Sequence, residues 1–421
     1  MDDSVTTIGE IADIFDGPHA TPKKIEVGPY FLSISSLEKG RLDLSKSACL
    51  SEADFKKWTK RVSPQKGDLL FSYETRLGEA ALMPDGIRAC LGRRMGLLRP
   101  KRNKVIPEYL LYAYLSPKFQ QTIVSNTIRG ATVDRIALNE FHNFKIRIPC
   151  IEEQAKVANL LQTLDAKIEL NNRINAELEA MAKTLYDFWF VQFYFPDKNG
   201  KPYKSSGGKM VWNKELKREI PGGWGAMTIA DVTSLSRGVT YGKDDVRSKE
   251  DVGVTGILRA TNITGNQVDL DDLVYIPKGI LSENQFINKF ESLIVMSSGS
   301  KGHIGKNGIY YFDNEAAFGA FCSKLTINAK FIFYVSVFLN SPWFMIYIKN
   351  QCLGTNINNL TNDHIKECQL VRPDEKVLAF FEKTMSGIYK KIASNSIENR
   401  ELKDLRDWLL PMLMNGQVKV S

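Results

Sequence analysis

The sequence predicts an α+β protein in which two mixed α/β domains, in a pseudo-twofold arrangement, are separated by two long antiparallel coiled-coil helices. Three observations lead to this fold class. The chain of 421 residues repeats itself with an offset of 224 residues. Each repeat opens with short β-branched and aromatic runs that are interrupted by Gly and Asn turns. Each repeat then ends in a segment with almost no Gly or Pro, which is typical of one long helix.

The repeat is clearest in the helical segments. Placing residue i beside residue i+224 aligns 167–185 with 391–409, and seven of these nineteen positions are identical. The same offset places Pro149 on Pro373, just before each helical segment. Earlier in each half the offset drifts by a few residues, as insertions in loops would cause. Two structural units of the same plan are therefore expected.

Changes of composition divide the chain into five segments. The region 193–222 is rich in Lys, Gly and Ser, and is interpreted as a polar linker. The predicted segments are a first domain at 1–149, a first spacer helix at 150–192, the linker at 193–222, a second domain at 223–373, and a second spacer helix with a C-terminal tail at 374–416.

The two helical segments carry apolar residues at a spacing of seven, which is the pattern of a coiled-coil seam. Two helices of matching length and frame in one chain are most simply partners. Asn171 and Asn395 hold corresponding seam positions, and a buried Asn fixes the register of a helix pair while it weakens the packing. Replacing both with Leu is thus expected to stabilise the chain but to loosen the spacing that the helices set. The residues predicted to form the pairing are Leu164, Asn171, Leu178, Leu185, Ile388, Asn395, Leu402 and Leu409.

The composition excludes several kinds of protein. The formal charge of +8 permits contact with a polyanion but does not demand it. The six Cys form no C-x-x-C pair and the four His are scattered, so no metal site is expected. The polar, acidic N-terminus is no signal peptide, and the most apolar stretch, 331–348, is too interrupted to span a membrane. A cytoplasmic location is expected.

No motif in the sequence indicates catalysis. The Gly-rich stretch 298–305 lacks the order of a phosphate-binding loop, and a turn between strands explains it better. Pro84-Asp85 and Pro373-Asp374 have no acid-x-Lys partner of the kind that a nuclease needs. The Asn-Pro-Pro-Tyr signature of adenine methyltransferases does not occur. The chain is therefore not expected to be an enzyme or to hold a cofactor of its own.

Three stretches carry a resemblance to a known family. They are the run 185–193 (LYDFWFVQF) followed by a Gly-rich linker and Ile220-Pro-Gly-Gly-Trp224, the ending 409–417 (LLPMLMNGQ), and Pro149 with Glu152, Glu153 and Gln154. Together they resemble the specificity subunit of Type I restriction–modification enzymes, over the full length of the chain. The second helix departs from the family's P-x-x-E-Q entry, because Leu378 stands where the first helix has Gln154.

The resemblance implies a function. Each domain would be a target-recognition domain that reads one part of a bipartite, asymmetric DNA site. The helices would hold the two domains apart and dock two methyltransferase subunits, which bring S-adenosylmethionine and methylate adenine. A separate translocase–nuclease subunit would join the complex to cut DNA. None of that chemistry would belong to this chain.

Polar loops at corresponding places in the two halves are the candidates for DNA contact, since base edges are read by Arg, Lys, Asn, Gln, Ser or Thr. A solvated turn is the plain alternative for each loop, and Arg93-Arg94 is better explained as a phosphate clamp or a surface ion pair than as a base reader. The predicted residues are Tyr73, Arg76, Arg93, Arg94, Arg129, Thr132 and Arg135 in the first half, and Arg259, Asn262, Lys301, His303, Thr355, Asn356 and Asn358 in the second.

Two other classes of function agree less well with the sequence. A coiled-coil interaction scaffold without a nucleic-acid role would explain the helices but not the matched polar loops. A single-chain restriction–modification enzyme would need a methyltransferase or nuclease domain, and 421 residues hold neither beside the two predicted recognition domains.

Overall fold

A computed structural model describes residues 5–18, 20–130, 133–299, 301–351 and 360–420. The chain forms two compact units. Unit 1 contains Met1–Glu169 and Arg400–Ser421, and unit 2 contains Leu170–Asn399. Two long helices, Ile151–Tyr186 and Glu375–Met414, each contribute residues to both units.

Unit 1 is built on a four-stranded antiparallel sheet whose strands follow the order Ala12–Asp16, Met95–Pro100, Leu69–Ser72 and Ala80–Leu82. Its central strands are almost entirely buried, which fits their nearly continuous apolar sequence. The other strands are Val5–Thr7, Ile25–Phe31, Leu37–Glu38, Arg41–Leu42, Ala48–Cys49, Ala89–Cys90, Thr127–Ile128, Arg135–Ile136 and Lys145–Arg147. The short helices are Ile8–Ile11, Glu52–Trp58, Pro107–Leu115, Pro117–Ser125 and Leu138–Phe141.

Local sequence explains where the short helices of unit 1 begin. Ser51 accepts a hydrogen bond from the backbone N–H of Asp54, and Ser116 accepts one from Phe119, so each serine caps the helix that follows. Pro107 and Pro117 lie in the first turn of their helices, where a missing N–H costs no hydrogen bond.

Unit 2 repeats this plan with a longer sheet. Its six strands follow the order Thr233–Arg237, Cys322–Ile327, Ser292–Val295, Asn307–Ile309, Gln267–Val268 and Ile263–Thr264. A second sheet has the order Val274–Pro277, Val254–Leu258, Ala316–Phe318 and Phe286–Ile287. Two strand pairs, Met210–Asn213 with Arg218–Pro221 and Gly225–Thr228 with Gln369–Arg372, complete its strands among the described residues. The shorter helices are Ile332–Leu339, Pro342–Gln351 and Asn362–Lys366.

Each long helix caps the start of a shorter helix in its own half. Gln154 is fully buried, and its Oε1 accepts from the N–H of Ile106 (2.8 Å) just before the helix Pro107–Leu115. In unit 2 the carboxylate of Glu382 accepts from the N–H groups of Phe333 (3.1 Å) and Tyr334 (2.7 Å). Glu382 therefore caps a short helix in the second half, as Gln154 does in the first half, although Leu378 occupies the position that aligns with Gln154.

Buried asparagines join the two long helices within unit 2. Asn171 donates its Nδ2 to Oδ1 of Asn399 (3.0 Å), and Asn395 donates its Nδ2 to Oδ1 of Asn175 (2.8 Å). All four side chains are at most 7% exposed. The two residue numbers in each bonded pair add up to 570, so the helices run antiparallel here. The two bonds are also equivalent in the repeat, because Asn171 aligns with Asn395 and Asn175 aligns with Asn399 at the 224-residue offset.

The predicted role of asparagine in the seam therefore takes a different form from the one expected. Asn171 and Asn395 do lie in the seam, but each is paired with an asparagine one turn along the other helix. Of the other predicted pairing residues, Leu164, Leu178, Leu185, Ile388, Leu402 and Leu409 are half-buried rather than central. The reason is that the core of each unit also packs on these helices, so the buried face of each helix includes other residues, such as Leu161, Ile168 and Ile392.

The region predicted as a polar linker is ordered within unit 2. Phe193, Phe195 and Ile220 are buried, and Phe195 stacks on both Tyr203 and Trp224 at 4.7 Å between ring centroids. A hairpin, Met210–Asn213 with Arg218–Pro221, closes this region. The Lys, Gly and Ser content of the segment suggested a linker, and the spacing of its buried aromatic residues follows neither a helical nor a strand period. The predicted domain boundaries themselves stay a prediction.

The predicted α+β class, with two units of related build and two long helices, is confirmed. No single helix in the described part of the chain is long and apolar enough to cross a membrane. Only Ile332–Leu339 and Pro342–Gln351 taken together, with a bend of 63° between them, reach that length and composition.

Candidate nucleic-acid interface

Three loops of unit 1 come together where the strand Leu69–Ser72 ends. The N–H of Thr75 donates to the carbonyl of Asp134 (3.2 Å), and the N–H of Ile136 donates to the carbonyl of Tyr73 (2.9 Å). These bonds join loop 73–76 to the hairpin loop 129–135. The third loop contains Arg93 and Arg94, and the carbonyl of Arg94 accepts from the N–H of Tyr73 (3.2 Å). We call the described residues of 73–76, 93–94 and 129–135 the first surface.

The first surface is rich in arginine. Arg93, Arg129 and Arg135 are exposed to solvent. Arg94 is half-buried and pairs through Nε with Glu74 Oε2 (2.9 Å), and its Nη1 donates to Thr75 Oγ1 (3.2 Å). Exposed guanidinium groups on one surface are suited to phosphate oxygens and to the O6 and N7 atoms of guanine.

Unit 2 builds the corresponding place with matching backbone hydrogen bonds. The carbonyl of Phe321 accepts from the N–H of Met296 (2.8 Å), and the carbonyl of Met296 accepts from the N–H of Leu360 (2.8 Å). These two bonds match those around Arg94, Tyr73 and Ile136 in unit 1. We call the described residues of 296–303 and the turn 319–321 the second surface.

Two further bonds complete the match between the units. In unit 1 the N–H of Met95 donates to Gly92 (3.3 Å) and the N–H of Gly17 donates to Met95 (2.9 Å). In unit 2 the N–H of Cys322 donates to Gly319 (2.9 Å) and the N–H of Gly238 donates to Cys322 (3.3 Å). The four bonds in each unit align Arg93 with Ala320 and Arg94 with Phe321. The two surfaces therefore share a frame of backbone hydrogen bonds and differ in their side chains, and Arg94 has a positive φ (71°) that Phe321 does not have.

Comparison with known proteins agrees with this construction. Residues 4–180 match the family model described as Type I restriction modification DNA specificity domain. The StySPI specificity subunit of Salmonella potsdam is 38% identical over 144 residues, which are 34% of this chain and 31% of that relative. The HindI specificity subunit of Haemophilus influenzae is 24% identical over 418 residues, which cover 84% of this chain and 87% of the relative.

A solved structure shows the same fold. The Type I restriction–modification S subunit from M. genitalium aligns with a TM-score of 0.53 and 15% identity, over 97% of this chain and 95% of that one. The chain is thus similar to Type I specificity subunits, through the family model over its first part and through relatives that cover most of its length. The family resemblance predicted from the sequence is thereby confirmed.

Two of the residues predicted to contact DNA are buried in the protein. Tyr73 is 4% exposed, and its burial raises the pKa of the phenol. Asn262 is 2% exposed, its Oδ1 accepts from the N–H of Arg259 (2.9 Å), and its Nδ2 donates to the carbonyl of Asp271 (2.6 Å). Burial argues against base contact by either side chain, because both pack or close a turn within the protein; DNA contact by Tyr73 and Asn262 stays a prediction.

The other predicted residues differ in how far their polar groups are already bonded within the protein. Arg76 is committed within the protein, since it pairs with Glu79 (3.3 Å) and donates to the carbonyl of Ile34 (3.3 Å). Arg259 donates to the carbonyl of Asp272 (2.5 Å), and His303 is exposed. Thr132, Thr355, Asn356, Asn358 and the side chain of Lys301 lie outside the described residues. DNA contact by any of these residues stays a prediction.

One exposed residue of the second surface was missed. Phe321 is 67% exposed on the turn between the strands Ala316–Phe318 and Cys322–Ile327. Sequence reasoning looked for donors and acceptors, so it passed over an aromatic residue. The signal that could have found it is the alignment of Gly92-Arg93-Arg94 with Gly319-Ala320-Phe321 at the ends of matched strands.

The described residues contain no group of three or more His, Cys, Asp or Glu side chains placed to hold a metal ion.

Proposed function

We propose that this chain is the sequence-reading DNA-binding subunit of a Type I restriction–modification complex. Unit 1 reads one half of a bipartite asymmetric site through the first surface, and unit 2 reads the other half through the second surface. The observation that carries the proposal is the pair of matched backbone frames with unlike side chains. Two readers of different half-sites require a common scaffold with different contact groups.

The proposal assigns partners to the chain. Two methyltransferase subunits dock on the long helices and bring S-adenosylmethionine, and a translocase–nuclease subunit joins to cut DNA. This chain holds no cofactor and performs no chemistry. In support of docking, the helices expose large apolar side chains: Met181 (58%) and Phe380 (54%) in unit 2, and Trp408 (58%) in unit 1. These side chains are available for apolar contact with a protein partner.

The test uses the full chain purified with the methyltransferase of its own system. A selection from random-sequence duplex DNA should return a motif of two separated blocks, and its affinity should fall steeply with salt because phosphate contacts release counterions. Binding that is absent or insensitive to salt would contradict the proposal and would favour the scaffold without a nucleic-acid role. The same motif should be found by mapping methylated adenine in the host genome.

Docking is tested separately by co-purification. The variants Met181→Ser and Phe380→Ser should weaken capture of the methyltransferase, whereas Val252→Ser, which changes a fully exposed loop residue (102%), is the matched control. Unchanged capture with all three variants would contradict docking at these positions while leaving DNA reading intact.

A further inference from the structure

Phe321 is held rigidly although its side chain is exposed. Its carbonyl accepts from the N–H groups of Met296 (2.8 Å) and Ser297 (3.3 Å), and the N–H of the preceding Ala320 donates to Val239 (2.8 Å). The turn is thus fixed by hydrogen bonds to two other segments of unit 2. With 67% of its surface exposed, the phenyl ring contributes little to the core. Single exposed apolar side chains are common on protein surfaces, so what distinguishes this one is its place, on a fixed turn that aligns with Arg94 of the first surface.

The aligned position in unit 1 has the opposite chemistry. Arg94 carries a guanidinium group that pairs with Glu74 and Thr75, and the exposed Arg93 precedes it. Phe321 offers no donor or acceptor, and Ala320 precedes it. Among the groups that base pairs present in the major groove, the thymine 5-methyl is the one that a phenyl ring recognises by apolar contact.

We propose that Phe321 determines the specificity of the second half-site by contact with a thymine 5-methyl group in the major groove. This inference rests on the proposed function, because it names a contact within DNA reading by unit 2. It assigns different modes of reading to the two units. The first surface relies on guanidinium groups and the second relies at this position on an apolar contact.

The experiment starts from the motif that the wild-type complex selects from random duplex DNA. Each thymine of each block is then replaced by uracil, which removes the 5-methyl group and keeps every hydrogen-bonding atom of the base edge. For the wild type, at least one uracil in one block should weaken binding about fourfold, as expected for one methyl group that is no longer buried. Uracil in the other block serves as the internal control.

The variant Phe321→Ala should lose that sensitivity to uracil and should bind the intact site at least about fivefold more weakly. Phe321→Leu keeps an apolar side chain and should retain part of the preference for thymine. Arg93→Ala should leave the uracil effect in place, because it changes the other surface. Equal thermal midpoints of wild type and Phe321→Ala are expected from the exposure of the ring, and they separate binding from folding.

The outcomes distinguish the inference from the proposed function. If the wild type selects no motif, both fail. If the wild type selects a two-block motif but Phe321→Ala has the same motif, affinity and uracil response, the inference alone is overturned. A loss of affinity with an unchanged uracil response also overturns it, since Phe321 would then contact DNA without reading the methyl group.

Discussion

Replacing Asn171 and Asn395 together with Leu is expected to destabilise unit 2, which is the reverse of what the sequence predicted. The two residues are not partners of each other. Asn171 donates to Asn399 and to Glu398, and Asn395 donates to Asn175, so this double replacement removes one partner of each of these hydrogen bonds. Replacing Asn175 and Asn395 instead removes both partners of the bond between them, together with a long bond from Asn175 to Ser396 Oγ (3.4 Å).

The difference in magnitude follows from the groups that remain. With leucine at positions 171 and 395, the buried Oδ1 atoms of Asn399 and Asn175 lose their donors, and each orphaned acceptor costs about 1–3 kcal/mol. The total is roughly 2–6 kcal/mol of unfolding free energy. With leucine at positions 175 and 395 no member of that bond is left, and Ser396 still donates to Gln267 (3.0 Å). A change of at most about 1 kcal/mol in either direction is expected there.

Urea denaturation of the full chain, followed by circular dichroism, measures both double variants against the wild type. Each double variant introduces two leucines, and the two share the replacement Asn395→Leu, so differences in hydrophobicity largely cancel. If their unfolding free energies agree within about 0.5 kcal/mol, the crossed pairing is not what stabilises the seam, and the reasoning is refuted.

Three more perturbations have defined outcomes. Burial raises the pKa of Glu382 to about 7, so the ionised form is disfavoured in the folded state, and the unfolding free energy should fall by up to about 3 kcal/mol as pH rises from about 4.5 through 7. Denaturation at pH 5 and pH 8 should show this loss in the wild type and not in Glu382→Gln. Equal pH dependence of the two proteins would contradict this prediction. A Cβ on Gly92 would lie 1.8 Å from a backbone carbonyl oxygen, whereas a Cβ on the matched Gly319 would lie 3.6 Å from its nearest neighbour. Gly92→Ala should therefore lower the unfolding free energy by about 3 kcal/mol or more, and Gly319→Ala by much less. Equal melting temperatures of the two variants would count against this difference in packing. Arg129→Ala should relax the sequence preference in the first block of the DNA motif alone. Arg93→Ala should weaken binding to all sequences and lower the slope of log binding constant against log salt concentration by about one. A loss of preference in one block with Arg93→Ala would mean that Arg93 reads a base instead of a phosphate.

The sequence predicted the larger features because they depend on long regular patterns. The 224-residue repeat implied two units of one plan, and the segments with almost no Gly or Pro indicated the two long helices, Ile151–Tyr186 and Glu375–Met414. The arginines of the first surface were also found, since matched loops of polar residues are visible in an alignment of the halves. The family resemblance rested on short motifs near Pro149, Trp224 and the C-terminus.

The remaining features depend on contacts that no period encodes. The partner of Asn171 follows from the antiparallel register, and the heptad pattern of one helix does not contain that register. Tyr73 and Asn262 looked like loop residues, but their local turns place them inside the protein. Phe321 was missed for the opposite reason, because an apolar residue in a sequence is expected in the core. In each case the spatial neighbours, and not the residue type, decide between burial and exposure.

The backbone frame shared by the two surfaces has an evolutionary consequence. Its four hydrogen bonds use N–H and carbonyl groups alone, so they do not depend on the side chains at Arg93, Ala320 and Phe321. Arg94 is more restricted, because its positive φ (71°) disfavours β-branched residues. Substitutions there can change the ligand that is preferred with little effect on folding, whereas the tightly enclosed Gly92 beside them has little such freedom. Such a frame lets a lineage diversify its targets by single replacements at two positions, without passing through unfolded intermediates.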